Sequence, residues 1–96
     1  MKTDNLQILM PAHNEAKSIE NQISNIEKIL KKKIKFSFLI CEDGSDDETL
    51  KIINTLKKKF KIHVISKKKK QGYSKAVMSG IRKAKGDYLL IMDSDG

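Results

Sequence analysis

Two carboxylates stand one residue apart in the segment 92–96, where Asp93 and Asp95 follow directly on the apolar run 88–92. The run is preceded by Gly86 and followed by polar residues, a pattern that predicts a buried strand. Because side chains alternate along an extended backbone, both carboxylates lie on the same side of the chain. Adjacent carboxylates repel each other, and a divalent cation that carries phosphate oxygens relieves that repulsion. The pair therefore predicts a metal and phosphate site.

The composition is basic and indicates an anionic partner. The chain has 96 residues, with 20 Lys+Arg against 12 Asp+Glu and a net charge of +8, which suits a nucleotide, a nucleic acid or an acidic membrane surface. The lysine runs 31–33, 57–59 and 67–70 fall at the ends of predicted elements, where an ordinary solvated surface is the plainer interpretation. The single cysteine, Cys41, excludes an internal disulfide and is expected to be an inert core residue. No apolar stretch reaches the roughly 20 residues of a membrane helix, and no signal peptide is recognisable, so we expect a soluble segment.

Hydrophobic periodicity predicts strands and helices in strict alternation. The predicted strands are Leu6–Met10, Lys35–Cys41, Lys61–Ser66 and Asp87–Met92. The first predicted helix runs from Ala16 to about Lys31. The second begins at a capping box, Ser45–Glu48, and its apolar side consists of Leu50, Ile53, Leu56 and Phe60. The third runs from about Ser74 to Lys85, with Gly86 as its C-cap.

The order βαβαβαβ with short connections predicts an α/β fold: a parallel sheet with right-handed crossovers and helices on both faces. The polar clusters 11–15, 42–46 and 93–95 all fall where a strand ends and the next connection begins. The carboxyl ends of parallel strands meet at one edge of such a sheet, where ligands bind. With the strand order 3-2-1-4, the first and last clusters face each other across one crevice.

Each of the first two clusters has a purely structural interpretation beside the functional one. The residues 11–15 could merely end a strand and start a helix, with Asn14 as its cap; functionally, His13 would stack on or hydrogen-bond a ligand and Glu15 would accept from it. The residues 42–48 could be a turn followed by a helix cap. Functionally, the Asp43 carboxylate would accept from a nucleobase imino group or from ribose hydroxyls.

Taken together, the clusters resemble the inverting family 2 glycosyltransferases with the GT-A fold. Residues 11–15, Pro-Ala-His-Asn-Glu, are similar to their P-x-[YH]-N-E opening, and residues 42–47, Glu-Asp-Gly-Ser-Asp-Asp, to their D-D-G-S-x-D turn. Residues 72–88 resemble their G-x-[SG]-x-A…G-[IF]…A-x-G-D-[YV] block, and residues 92–95 stand where they carry the D-x-D metal motif. The resemblance covers essentially the whole chain in the right order, and its third block looks closest to the polyprenyl-phosphate (dolichyl-phosphate) sugar transferase branch.

The resemblance implies a three-layer, Rossmann-like GT-A half-domain over residues 1–96 and a role for each matching residue. The implied nucleotide-sugar site consists of Pro11, His13, Glu15, Asp43 and Asp93. Asp93 and Asp95 would bind Mg²⁺ or Mn²⁺, with Asp95 the more direct ligand, because hard carboxylates suit these ions and no Cys/His cluster favours softer ones. Glu42 departs from the family's usual Asp; its extra methylene is expected to shift the carboxylate outward and leaves it without an assigned role. Lys75 and the run 67–70 are expected to be solvated surface, with screening of the diphosphate as the alternative.

The same resemblance implies a metal-assisted, inverting transfer of a sugar from a GDP- or UDP-linked donor. The acceptor would be a polyprenyl phosphate, or alternatively a saccharide in cell-surface polysaccharide synthesis. A hydroxyl acceptor would need a general base, and relatives place that base and the acceptor pocket after the D-x-D motif, hence beyond Gly96 here. We therefore expect the nucleotide-binding N-terminal part of a larger domain, cut just after the motif, which binds nucleotide at best and does not turn over alone. It would act in the cytoplasm, with membrane contact at the cytosolic face in the intact protein.

Two other classes explain part of the pattern. A basic nucleic-acid-binding module would account for the net charge, but the five aromatic residues are not interleaved with the lysine runs and no nucleic-acid motif is present. A flavodoxin-like phosphoacceptor domain also carries acidic residues at strand ends. It would need an aspartate at the end of the third strand, where this chain has Ile65-Ser66-Lys67. We therefore expect no nucleic acid partner.

Overall fold

A computed structural model describes residues 5–93 and contains four strands alternating with three helices. The strands are β1 (Asn5–Ala12), β2 (Lys35–Asp43), β3 (Ile62–Lys67) and β4 (Tyr88–Ile91), and the helices are α1 (Ile19–Leu30), α2 (Thr49–Leu56) and α3 (Tyr73–Lys83). All strand pairs are parallel and the sheet order is β3-β2-β1-β4. The predicted fold class and strand order are thereby confirmed. No helix in this part of the chain is long and apolar enough to cross a membrane.

One face of the sheet carries the larger core. Alternate residues of β1 and β2 point to this face, among them Ile8, Met10, Phe38 and Ile40, and all four are fully buried. Helix α1 covers them with the apolar stripe that helical periodicity predicted, and α2 covers them with Ile53 and Leu56. The predicted stripe of α2 was wrong at its two ends, because Leu50 is not part of this core and Phe60 packs against it from beyond the end of the helix. The buried members of those stripes are Ile19, Ile23 and Ile26 in α1 and Ile53 and Leu56 in α2.

The opposite face is covered by α3. Leu9, Leu39 and Cys41 pack there against Ala76. The helix lies so close to the sheet at Gly80 that an added Cβ would stand 2.6 Å from the Cys41 sulfur. Burial raises the pKa of the Cys41 thiol to about 11, against a smaller opposing effect of the Lys67 charge. The thiol therefore stays protonated at neutral pH, as expected of an inert core cysteine.

Several predicted boundaries were wrong: β2 runs to Asp43 and α2 ends at Leu56, and three further differences have identifiable reasons. β1 continues through Pro11, which pairs with Cys41 of β2 but lies beyond the end of β4, so its missing N–H leaves no gap in the β1–β4 ladder. Helix α1 begins only at Ile19, after a turn. Helix α3 ends at Lys83 with Ala84 as its C-cap, whereas Gly86 lies against the start of β1.

The capping box predicted at residues 45–48 was also wrong. Helix α2 begins at Thr49 with Glu48 as its N-cap and without a side-chain cap. Ser45 lies in the turn before the helix, where its N–H donates to Glu42. The Ser45 N–H in this turn therefore bonds to a side chain of β2, and not to a side chain of the helix that follows.

Strand β4 was predicted to be buried and is not. It pairs with β1, yet Leu90 is 44% exposed and its three strand neighbours are exposed as well. Because successive side chains of a strand point to opposite faces, both faces of this edge are open in the described part of the chain. The apolar run therefore predicted the strand correctly and its burial incorrectly.

Candidate active site

A cavity of about 290 Å³ opens at the carboxyl ends of β1 and β2, beside the start of α3. Its lining consists of Pro11, Ala12, His13, Glu15, Asp43, Lys70, Tyr73, Ala76 and Asp93. Every residue that the sequence assigned to nucleotide-sugar binding is among them. The structure thus brings together side chains that are up to 82 positions apart in sequence, from Pro11 to Asp93. Their individual roles stay predictions.

The metal-binding pair is described only in part. Asp93 lines the cavity, and its backbone carbonyl accepts a hydrogen bond from the Gln22 side chain at 3.2 Å. Asp95 lies outside the described residues. Within residues 5–93, no group of three or more His, Cys, Asp or Glu side chains could hold a metal ion. The assignment of Asp93 and Asp95 to a metal therefore stays a prediction.

His13 is fixed between the ends of β1 and β2. Its Nδ1 lies 2.7 Å from the carbonyl oxygen of Asp43, and its Nε2 lies 3.4 Å from the side-chain nitrogen of Asn14. Because a carbonyl can only accept, Nδ1 must carry the proton, and a neutral ring then presents Nε2 as an acceptor for the Asn14 amide. This network assigns the tautomer and holds the half-buried ring in the cavity wall.

Asn14 connects two loops rather than capping α1, whose N-cap is Ser18. Its backbone has a left-handed φ of 54°, a conformation that asparagine tolerates better than most residues. In this conformation its side-chain oxygen accepts from the N–H groups of Asp46 and Asp47 at 2.7 and 3.3 Å. Its own N–H donates to the Ser45 hydroxyl at 3.0 Å. The loop that carries His13 is therefore held by the turn that follows β2.

A second set of bonds connects the same loops through Thr49. The Glu15 N–H donates to the Thr49 hydroxyl oxygen at 2.8 Å, and that hydroxyl in turn donates to the Asp47 carboxylate. The hydrogen bond from Thr49 is the main reason that the pKa of Asp47 is held below its usual value, with backbone N–H groups adding to it. Sequence reasoning missed this role of Thr49 because the partners are 34 residues apart.

Glu42 turns inward, contrary to the outward shift predicted for its longer side chain. The residue is 2% exposed. Its carboxylate accepts from the Ser45 N–H at 2.5 Å and from the Ser66 hydroxyl at 2.8 Å. Glu42 therefore connects the ends of β2 and β3 to the turn before α2. It does not line the cavity.

Asp43 points to the other face of β2 and reaches the loop before α3. It is 3% exposed, and its two carboxylate oxygens accept from the N–H groups of Gln71 and Gly72 at 2.6 and 2.9 Å. A carboxylate has about four lone-pair sites, so two backbone donors leave acceptor capacity for a ligand. Asp43 can thus contribute to the cavity wall and to a ligand contact at the same time.

Sequence reasoning considered Lys70 only as part of the run 67–70 and gave Tyr73 no role of its own. The run was expected to be solvated, with screening of the diphosphate as the alternative, and nothing in the run itself distinguishes Lys70 from its neighbours. Tyr73 begins α3 and is exposed, with its side chain at the cavity. Lys75, the other basic residue considered, lies on a separate depression along the outside of α3.

Comparison with known proteins places this site in a family context. Residues 7–96 match the model of Glycosyl transferase family 2. The chain is 30% identical over 90 residues to a dolichol-phosphate mannosyltransferase of Pyrococcus furiosus, and 33% identical over 100 residues to a dolichyl-phosphate beta-glucosyltransferase of Dictyostelium discoideum. These alignments cover 94% and 95% of this chain but 25% and 31% of the relatives. The chain thus spans about a quarter to a third of the length of these curated relatives.

The fold has a close counterpart among solved structures. A mannosyltransferase from Pyrobaculum calidifontis, solved in complex with GDP-Man and Mn²⁺, superposes with a TM-score of 0.86 at 20% sequence identity. The superposition covers 99% of this chain and 28% of that protein. At this level of identity the likeness establishes the shared fold.

Proposed function

The chain belongs to glycosyl transferase family 2, and we propose that it forms the donor-binding part of an enzyme that transfers a sugar from a nucleoside diphosphate sugar with inversion. The observation that carries the proposal is the cavity at the carboxyl ends of β1 and β2. All the described residues that the sequence assigned to the donor line it. A ligand crevice at the carboxyl ends of parallel strands is also where open α/β sheets bind nucleotides.

The nucleoside is proposed to lie against β1 and β2. Asp43 would accept from an imino N–H of the base through the lone pairs that Gln71 and Gly72 leave free. Pro11 and the His13 ring would provide the wall against which the nucleoside packs. Because Nδ1 donates to the Asp43 carbonyl, the ring would keep its orientation while a ligand binds.

The diphosphate is proposed to lie toward Asp93. A carboxylate on the cavity wall supplies the hard oxygen donors that Mg²⁺ or Mn²⁺ prefers, so Asp93 fits a metal site of this kind, with Asp95 as its proposed partner. Bound there, such an ion would offset the negative charge that develops on the leaving diphosphate. The side chains of this part of the chain would bind and orient the donor.

The acceptor is proposed to be a polyprenyl phosphate, as the names of the two curated relatives favour. Such an acceptor is already anionic, and a general base is then less necessary than for a hydroxyl. A saccharide acceptor is the alternative. Since the relatives are about three to four times as long as this chain, we propose that the acceptor site is formed by other parts of such an enzyme. We also propose action at the cytosolic face of a membrane.

Calorimetric titration of GDP and UDP into this chain, with and without Mn²⁺, tests the donor site. We expect binding of one nucleotide that depends on the metal and that is lost in an Asp93→Asn/Asp95→Asn variant. A Glu20→Gln/Glu48→Gln variant removes the same amount of charge at exposed positions away from the cavity and should bind like the parent chain. Equal binding by both double variants would overturn the metal assignment, and no binding by a folded chain would overturn the donor site.

Transfer assays test the remaining parts of the proposal. We expect no turnover by this chain alone, and turnover with a polyprenyl phosphate by a full-length enzyme that contains it. Sugar transfer by the 96-residue chain would contradict the proposal that this part binds the donor and does not complete the reaction alone. Transfer to a saccharide but not to a polyprenyl phosphate would favour the alternative acceptor.

A further inference from the structure

The loop between β3 and α3, residues 68–72, is held against the end of β2 at two points. The first is the Asp43 carboxylate, whose oxygens accept from the N–H groups of Gln71 and Gly72 at 2.6 and 2.9 Å. Hydrogen bonds to a charged acceptor are about twice as strong as those between neutral groups. The Asp43 side chain is almost completely buried, so little water competes for these bonds.

The second point is Gly44, where the loop backbone lies directly on the turn. Gly44 has a φ of +61°, and an added Cβ would stand 2.7 Å from the carbonyl carbon of Lys69 and closer still to the backbone nitrogen of Lys70. Real Cβ atoms do not approach backbone so closely. Only glycine permits this contact, for reasons of both conformation and space.

This double attachment distinguishes Lys70 from the other lysines of the run. Lys70 lines the cavity, whereas Lys68 and Lys69 do not. Two positions after Lys70, Gly72 turns the chain with a φ of +102° into α3. The backbone on both sides of Lys70 is therefore fixed, by Gly44 before it and by Asp43 after it.

We infer that Asp43 is a positioning residue for Lys70, and that Lys70 binds a phosphate group of the ligand in the cavity. The inference rests on the proposed function and deepens it, because it adds a cationic ligand for the diphosphate of the donor. A lysine ammonium is a compact charge with three donors that suits phosphate oxygens. The basic charge at the cavity thus has a specific source, while the rest of the lysine run remains solvated.

Amide hydrogen exchange tests the positioning role without any ligand. The Gln71 and Gly72 amides should be protected in the parent chain, and Asp43→Asn should speed their exchange about tenfold or more, because the amide of asparagine can replace only one of the two acceptor oxygens. Gly44→Ala leaves the carboxylate intact and displaces the loop, so it should expose the same two amides if Asp43→Asn fails to fold. Rapid exchange of both amides in the parent chain would overturn the positioning role.

Nucleotide titration tests the phosphate contact. Lys70→Met should lower the affinity for GDP or UDP about tenfold and leave the affinity for the corresponding nucleoside unchanged. The variant should also reduce the dependence of nucleotide binding on salt. Lys68→Met removes the same charge from the same loop away from the cavity and should bind like the parent chain. Lys70→Arg should restore most of the affinity, a rescue that a merely structural role would not produce.

A double variant connects the attachment of the loop to Lys70. If the position of the loop acts through Lys70, adding Lys70→Met to Gly44→Ala should cost much less affinity than it does in the parent chain. Full additivity would overturn the coupling, and equal effects of Lys70→Met and Lys68→Met would overturn the phosphate contact. Absence of any nucleotide binding, with the two amides still protected, would refute the proposed function and the phosphate contact while leaving the positioning of the loop intact.

Discussion

Replacing Asn14 by alanine should lower the free energy of unfolding by about 2 kcal/mol, although the residue is exposed. Its side-chain oxygen accepts two hydrogen bonds, from the N–H groups of Asp46 and Asp47. Because the site is open to water, we take these bonds at the low end, about 0.5 kcal/mol each. The φ of 54° adds a second cost, since alanine in the left-handed region costs about 1–2 kcal/mol.

Two further variants separate these contributions. Asn14→Gly loses the acceptor but accommodates the left-handed backbone, so we expect a loss of about 1 kcal/mol. Asn14→Asp keeps an acceptor and tolerates the conformation, and it should remain close to the parent chain. Urea unfolding followed by circular dichroism measures the series. With a slope of about 1–2 kcal/mol per molar urea for a small domain, Asn14→Ala should shift the midpoint down by about 1–2 M at an unchanged slope.

The order of the three variants decides whether the reasoning holds. Equal losses for glycine and alanine would mean that the left-handed backbone carries no cost, and the conformational part of the argument would be refuted. A stable Asn14→Ala would refute the whole account, including the statement that this side chain connects the His13 loop to the turn after β2.

Three other predictions concern groups away from the cavity. Glu42→Ala should cost about 2 kcal/mol in urea unfolding, because it leaves the Ser66 hydroxyl and the part-buried Ser45 N–H without their acceptor. Glu42→Gln, which keeps one acceptor oxygen, should cost less, and equal losses would contradict this. Cys41, whose thiol pKa burial raises to about 11 from 9.0, should resist alkylation in the folded chain and react quickly in urea. Because the folded state holds the thiol proton more tightly than the unfolded state, the contribution of Cys41 to stability is complete below pH 9.0 and is lost as the pH rises toward 11. Urea midpoints that rise between pH 9.0 and 11 would contradict this expectation. Gly80→Ala should lower the melting temperature through overpacking of about 1–3 kcal/mol against the Leu9 side chain and the Cys41 sulfur, whereas Ser79→Ala on the same helix should have little effect. Similar melting temperatures for the two variants would refute the close approach of α3.

Much of the fold could be predicted because the hydrophobic pattern is local and regular. The apolar runs of β1 and β2 and the stripe of Ile19, Ile23 and Ile26 identified strands and helices whose alternation leads to a parallel sheet. The prediction of burial failed for β4, because burial depends on what packs against a strand and not on the strand's own hydrophobic pattern. The apolar sequence of β4 indicates a strand but does not determine what covers it, and its position at the edge of the described sheet leaves it exposed.

The candidate site divides in the same way. The carboxyl ends of parallel strands meet at one edge, so motifs placed at strand ends were predictably neighbours, and Pro11, His13, Asp43 and Asp93 do line one cavity. The partners of those residues were not predictable. Nothing local distinguishes Asn14 as the acceptor for the turn after β2, or Lys70 as the lysine at the cavity, because their contacts join segments about 30 residues apart.

The amino-acid sequence by itself determined which residues form the strands and helices and which polar side chains stand at the strand ends, because periodicity and chain order are local properties. Only the tertiary structure decided which partners adjacent residues contact. Glu42 and Asp43 are neighbouring acids on one strand, yet alternation sends one to Ser66 on the α1–α2 side of the sheet and the other to Gly72 on the α3 side. Which acid becomes a structural connection and which reaches the cavity depends on what packs against each face of the sheet.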